Sequence, residues 1–325
     1  MKKRMIALAL VSLLTLSLAA CGSDAPENSG SEPAESTEPV HIGIVVKSLA
    51  DQHWALVKAG AEAKAAELGV LVDVIGPNSE SDVQAQVDMI DNLIGLQVDA
   101  LCLAPSSQEA VLGSLQNAYD AGIPILTIDT DTTFDKRLSF IGTGNVAAAK
   151  MGGAAAAEVV GEGATCVILR GRLGDPTHDQ REQGFREALE AAGVEIIEVK
   201  AADSDSEKAM NIMQDLLQVY DDIDLVCCTT DNNLFGAQRA VEAAGAPTLL
   251  MSFDGTSNAC ELILQGKVLG SVAQNPYAMG ELAVENAIKA INGETIDARI
   301  DSGAEVIMAD NAEQYLAELK EKAGQ

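Results

Sequence analysis

With 325 residues, 49 acidic against 21 basic side chains and a formal charge of −28, this chain is strongly acidic. Such a surface repels phosphate backbones and anionic lipid, which disfavours nucleic-acid binding. Aromatics make up 3% of residues, with one tryptophan and three histidines, so the position of each invites a reason.

The chain begins MKKRMIALALVSLLTLSLAA, with Lys2, Lys3 and Arg4 ahead of an apolar run from Met5 to Ala20. This is the pattern of a secretory signal peptide over residues 1–20, too short and wrongly flanked for an ordinary membrane-spanning helix. It ends in Leu18-Ala19-Ala20-Cys21, which resembles a bacterial lipobox and implies cleavage before a lipid-carrying Cys21. A plain secretory signal followed by a chance cysteine is the alternative. Residues 22–39 contain no Lys, Arg or aromatic residue and no aliphatic larger than Ala. Gly, Ser, Pro and Glu cannot bury enough surface to offset the entropy of ordering, so residues 21–39 are expected to be a lipidated tether. The protein is then extracytoplasmic and anchored to the membrane through Cys21.

From His41 onward, short apolar runs alternate with helical periods. HIGIVV precedes a helix over 52–68, VLVDVI one over 82–96 and DALCLA one over 108–121, followed by PILTI. Continuous apolar strands joined by helices indicate a parallel sheet covered on both faces. After LSFI and a helix over 146–160, the alternation resumes through TCVIL, VEIIEV, DLVCC and TLLMSF. The fold class expected is α/β, with two doubly wound parallel-sheet lobes.

The second half echoes the first. The stretch starting at Leu68 matches that starting at Ala192 at an offset of about 124 residues. Its register pairs Asp129 with Asp254, each just past the carboxyl end of an equivalent strand. Ligands of open parallel sheets sit beyond those ends, so two facing lobes would place this pair on opposite walls of one cleft. Each aspartate also serves equally well as a helix or turn cap.

Little else points to chemistry. Beyond Cys21, five cysteines lie in strand-like or helical runs without CxxC or Cys–His spacing, so buried free thiols are expected rather than a metal or redox site. GxSxG, HExxH and the Walker pattern are absent. A non-catalytic binding protein with no cofactor and no metal is expected. GTGNVA, residues 142–147, fits the GxGxxA dinucleotide loop and keeps an oxidoreductase as a rival, although the next strand ends in Arg170 where NAD favours an acidic residue.

The stretches VVKSLADQHW, APSSQEAVL, ILTIDTD, FIGTGNVAAAKMGG, FDGTSNA and SVAQNP follow one another over nearly the whole chain from His41. In this order they resemble the type I periplasmic sugar-binding proteins, in particular the ribose- and allose-binding group. The resemblance implies two lobes joined by a three-segment hinge, closing over one sugar and delivering it to a membrane ABC permease with its cytoplasmic ATPase. It places one lobe at 40–142 plus 276–302 and the other at 143–275 plus 303–325. The hinge is expected near Ile141–Thr143, Gln274–Pro276 and Asp301–Ala304.

Carried over by position, the resemblance makes Asp129, Asn145, Asp254 and Gln274 polar sugar contacts, Lys47 a further contact, and His53 and Trp54 stacking aromatics. Trp54 is open to a second reading as core. Arg181 is a retained family arginine, or simply a residue ordering its helix. The chain departs from the ribose-type pattern at Thr130, Asp179, Ser204 and Thr230, so ribose itself is disfavoured. His178, Asp179, Asp231 and Asn232 are substitute contacts, each equally readable as a cap or a solvated residue. The ligand implied is a small neutral sugar or polyol, bound by a monomer. A cyclitol binder of the same transport class and a sugar sensor for a membrane receptor remain alternatives.

Overall fold

A computed structural model of the protein describes residues 39–322. The expected signal peptide, Cys21 and the tether up to Glu38 lie outside the described residues.

The first lobe runs β1 (His41–Val45), α1 (Gln52–Leu68), β2 (Leu71–Ile75) and α2 (Val83–Gly95). It continues with β3 (Ala100–Leu103), α3 (Leu112–Asp120), β4 (Ile125–Ile128) and β5 (Ser139–Gly142). The second lobe takes up α4 (Asn145–Val160), β6 (Thr165–Arg170), α5 (Pro176–Ala191) and β7 (Glu195–Ala201). It goes on through α6 (Ser206–Val219), β8 (Leu225–Cys228), α7 (Asp231–Ala244), β9 (Leu249–Asp254), α8 (Ser257–Leu264) and β10 (Gly270–Gln274). The chain then returns for α9 (Pro276–Ile291) and β11 (Arg299–Asp301), and crosses again into β12 (Ala304–Ile307) and α10 (Ala312–Lys322).

Two six-stranded sheets result, ordered β11-β5-β4-β3-β1-β2 and β12-β10-β9-β8-β6-β7. The orders are equivalent strand for strand, with β4 matching β9 and β5 matching β10. All pairings are parallel except β10 with β12. Each sheet carries an apolar cluster on each face. On the first, Trp54, Val57 and Met279 pack with α1 and α9, while Ile90 and Leu115 pack with α2 and α3 on the other face. The central strands β1, β3 and β4 are almost wholly buried, which is why they read as unbroken apolar runs.

The helix expected over 108–121 begins later, at Leu112; residues 108–111 form turns after Pro105 and Ser106. The five cysteines in the described region are buried and unbridged. The chain passes between the sheets at residues 142–145, 274–276 and 301–304. At the first crossing a Cβ on Gly144 would sit 3.3 Å from Asp301 Oδ2. A carboxylate therefore stands at the glycine where a dinucleotide loop would meet phosphate.

Helix α1 touches α9 backbone to backbone. A Cβ on Gly60 would lie 2.0 Å from the Tyr277 carbonyl oxygen, and one on Gly280 2.0 Å from that of Val57. No larger residue permits that approach, which holds the returning helix against the first lobe.

Candidate functional site

Between the carboxyl ends of the two sheets lies a polar cavity of about 250 Å³. It is lined from the first lobe by Lys47, His53, Trp54 and Asp129, and from the second by Arg181 and Asp254, with Gln274 at a crossing. Its volume falls below the roughly 300 to 1,000 Å³ of sites for drug-sized molecules, as suits a smaller ligand.

Asp129 and Asp254 occupy equivalent places after β4 and at the end of β9, and both have positive φ, 59° and 124°. Such backbone geometry is disfavoured for residues with a Cβ and is retained where surrounding bonds enforce it. The two carboxylates are bonded differently. Asp254 Oδ1 accepts from Arg181 Nη1 at 3.0 Å and Gln274 Nε2 at 2.8 Å; Oδ2 accepts from Thr230 Oγ1 at 2.7 Å and the Asp231 backbone N–H at 3.2 Å. Four donors use the acceptor capacity of a carboxylate, so Asp254 organises the second wall.

Asp129 accepts one clear hydrogen bond, from Thr130 Oγ1 at 2.9 Å, leaving acceptor capacity toward the cavity. His53 Nε2 stands 3.3 Å from its Oδ2, near enough for charge pairing but without hydrogen-bond alignment. Burial opposes ionisation of Asp129, but His53, Lys47 and Arg181 outweigh it and hold the carboxyl well below its usual range. Burial likewise opposes protonation of His53, and Asp129 overrides it to raise the imidazole.

Arg181 is locked from three sides. Nε donates to Asn145 Oδ1 at 2.9 Å, Nη1 donates to the Thr229 carbonyl at 3.0 Å and to Asp254, and the guanidinium lies 4.0 Å over the Phe253 ring. Asn145 is thus not a lining residue; it positions Arg181 from the start of α4. Trp54 belongs to the first lobe's apolar cluster and also borders the cavity. His53 meets it edge-on, with ring centroids 4.7 Å apart.

Lys47 lines the cavity, but its ammonium is already engaged. Nζ donates to Asp175 Oδ2 at 2.9 Å across the cleft, with both side chains buried. Gln52 adds two more bonds between lobes, donating to Ser257 Oγ at 2.7 Å and accepting from the Ser257 backbone N–H at 2.8 Å. Thr130 and Thr177 hydroxyls meet at 3.0 Å. The lobes are closed on each other.

Among the substitute contacts, His178 lines the cavity as a neutral ring. Nδ1 lies 2.9 Å from Thr229 Oγ1 and Nε2 3.3 Å from Ser204 Oγ, and burial pushes its pKa down to about 4. Asn232 lines the cavity too. Asp231 borders it, but four donors from Ser252, Ser271 and Thr256 already engage its carboxylate. Burial and then Asp254 push that carboxyl up to about 7 despite these donors. Asp179 does not join the site: its half-exposed carboxylate pairs with Arg170 outside the cavity. The reason is helical geometry. His178 and Arg181 share one face of α5, whereas Asp179 and Glu182 share another and both reach Arg170.

Sequence reasoning missed Asp51 and Glu80 in the lining, and Asp175 behind Lys47; Ser204, a departure from the ribose-type pattern, does line the cavity. Among the described residues no group of His, Cys, Asp and Glu is arranged to hold a metal ion.

Comparison with known proteins gives a consistent picture. The family described as periplasmic binding protein domain matches residues 42–295. The ribose import binding protein RbsB of Haemophilus influenzae is 30% identical over 266 residues, covering 82% of this chain and 90% of that protein. A solute binding protein from Actinobacillus succinogenes with bound D-allose superposes at a TM-score of 0.80 with 26% identity, covering 85% of this chain and 100% of that one. A solute binding protein from Agrobacterium vitis, bound with α-D-tagatopyranose, superposes at 0.82 with 26% identity, covering 86% and 98% of the two chains.

Proposed function

This chain belongs to the periplasmic binding protein family, and we propose that it is the non-enzymatic solute-binding component of an ABC importer, capturing a monosaccharide or polyol of the ribose and allose class. The observation that carries this reading is the pair Asp129 and Asp254, at the ends of equivalent strands of two lobes and bordering one cavity. Binding proceeds by closure. A sugar docks on one lobe, the second lobe adds its contacts, and the affinity difference between open and closed forms drives the lobes together.

The chemistry suits such a ligand. Asp129 has lone pairs for hydroxyl protons, Arg181 and Gln274 offer N–H groups, and Trp54 offers apolar ring surface to C–H faces. A ligand lacking one hydroxyl would strand a buried partner at a cost of about 1–3 kcal/mol, which makes the site selective. The closed pair of lobes then presents its rim to a membrane permease, to which a lipid on Cys21 would keep the protein close.

A thermal-shift panel of aldopentoses, aldohexoses, ketoses and inositols tests the assignment. One or a few related members should raise the melting temperature, and Asp129→Ala should erase that shift. A panel without any response, or a response unchanged by Asp129→Ala, removes the reading. For the anchor, metabolic labelling with a palmitate analogue should mark the wild type and not Cys21→Ala; equal labelling excludes lipid at Cys21.

A further inference from the structure

On the second lobe's wall Thr229, His178 and Ser204 form a chain of hydrogen bonds whose direction is fixed at its buried end. Thr229 is fully buried, and its Oγ1 accepts from the Gly171 backbone N–H at 3.0 Å. Its hydroxyl proton is left over, and among the described residues the acceptor within its reach is His178 Nδ1 at 2.9 Å. With a proton on Nδ1 the Thr229 hydroxyl would be a buried donor without an acceptor, and buried polar groups are seldom left so. The imidazole is neutral, so its one proton sits on Nε2, 3.3 Å from Ser204 Oγ. Ser204 accepts there, and among the described residues its own proton then has no acceptor.

The backbone is shaped around this chain. A Cβ on Gly171 would stand 2.2 Å from His178 Nε2, so only glycine leaves the ring its place. Asp203 and Ser204 both have positive φ, 55° and 56°, a conformation disfavoured for residues with a Cβ. Their turn is held by Asp205, which accepts from the Lys208 backbone N–H at 2.8 Å, and by the ion pair of Asp203 with Lys208. It carries Ser204 from just beyond β7 to the cavity, which Ser204 and His178 line together.

Resting on the sugar-binding reading above, we propose that Ser204 donates a hydrogen bond to the ligand, with Thr229 and His178 positioning its proton, so that the ligand must present an acceptor oxygen at this point of the second wall. The two walls then read opposite polarity. Asp129 takes a hydroxyl proton on the first lobe, and Ser204 gives one on the second. Successive hydrogen bonds polarise one another, which strengthens the donor at the end of the chain. A methylene at this point strands the Ser204 proton, and an ammonium opposes it with protons of its own, so both are selected against.

Nitrogen-15 NMR of the imidazoles tests the buried end. The chain has three histidines, and the resonances lost in His178→Gln identify the ring. It should be the Nε2–H tautomer in the wild type and in Thr229→Ser, and should lose that bias in Thr229→Val. Calorimetry with the sugar that stabilises the protein tests the ligand end. Ser204→Ala and Thr229→Val should each weaken binding by roughly three- to tenfold. Added to Ser204→Ala, Thr229→Val should cost little more, because its effect on the ligand passes through Ser204. One monodeoxy analogue of the sugar should lose less affinity in Ser204→Ala than in the wild type. An Nδ1–H tautomer in the wild type, wild-type affinity in Ser204→Ala, additive losses in the double variant, or deoxy losses that Ser204→Ala leaves unchanged would each overturn the inference and leave the sugar-binding reading standing. Failure of every sugar to bind would overturn both.

Discussion

Asp175→Asn should weaken ligand binding strongly although residue 175 does not line the cavity. The Lys47–Asp175 contact joins the two lobes at 2.9 Å, with side chains 4% and 6% exposed. At that separation and an effective dielectric of about 20, the attraction is about 6 kcal/mol before desolvation. Removing one member of a buried pair costs about 3–5 kcal/mol, because the remaining charge stays buried and unpaired. In the open form Lys47 regains water, so the penalty falls on closure and appears as affinity loss of roughly two to three and a half orders of magnitude. Asparagine keeps the cap that Asp175 Oδ1 provides by accepting from the Thr177 N–H at 2.9 Å, so α5 should not fray. Titration calorimetry with whichever sugar stabilises the protein measures the loss. The cycle closed by Lys47→Met then isolates the pair: the double variant should bind at least about tenfold tighter than Asp175→Asn alone. Binding by Asp175→Asn at near wild-type strength, or strict additivity in the cycle, would refute the latch.

Other outcomes follow from the same geometry. Asp129→Ala should lower sugar affinity by roughly a hundredfold or more by removing a buried charged acceptor, and Asp254→Ala should do likewise by releasing Arg181, Gln274 and Thr230; calorimetry reads both. His178 titrates lower in the folded protein, about 4, than the roughly 6.5 of an unfolded chain. Its contribution is therefore complete above the unfolded value and is lost as pH falls through the folded one, about 3 kcal/mol in all. Melting temperature of the wild type should drop more between those limits than that of His178→Gln, and parallel curves would contradict a buried neutral ring. Gly60→Ala should destabilise the protein by about 1–3 kcal/mol or more in urea denaturation, because its Cβ would meet the Tyr277 carbonyl at 2.0 Å; unchanged stability would mean α1 and α9 sit further apart.

The architecture was readable because both faces of each sheet are covered, which leaves the central strands as continuous apolar runs with helices between. Duplication carried the reading further, since it singled out Asp129 and Asp254 from 49 acidic residues by register alone. Contacts created by closure left no such trace. Lys47 and Asp175 lie 128 positions apart on different lobes, with no periodicity linking them. Asp51 looks like an ordinary N-cap and Glu80 like another surface acid until the cavity wall is seen to pass through both. For Asp179 the residue type suited a ligand contact, but the three-residue spacing that joins His178 to Arg181 turns its neighbour toward Arg170 instead.

A crystal structure of the protein with a stabilising sugar tests the central claim most directly. One sugar should lie between the lobes, with its hydroxyls on Asp129 and its ring bordered by Trp54 and the wall that Asp254 organises. A sugar bound elsewhere, with only water between Asp129 and Asp254, would contradict it.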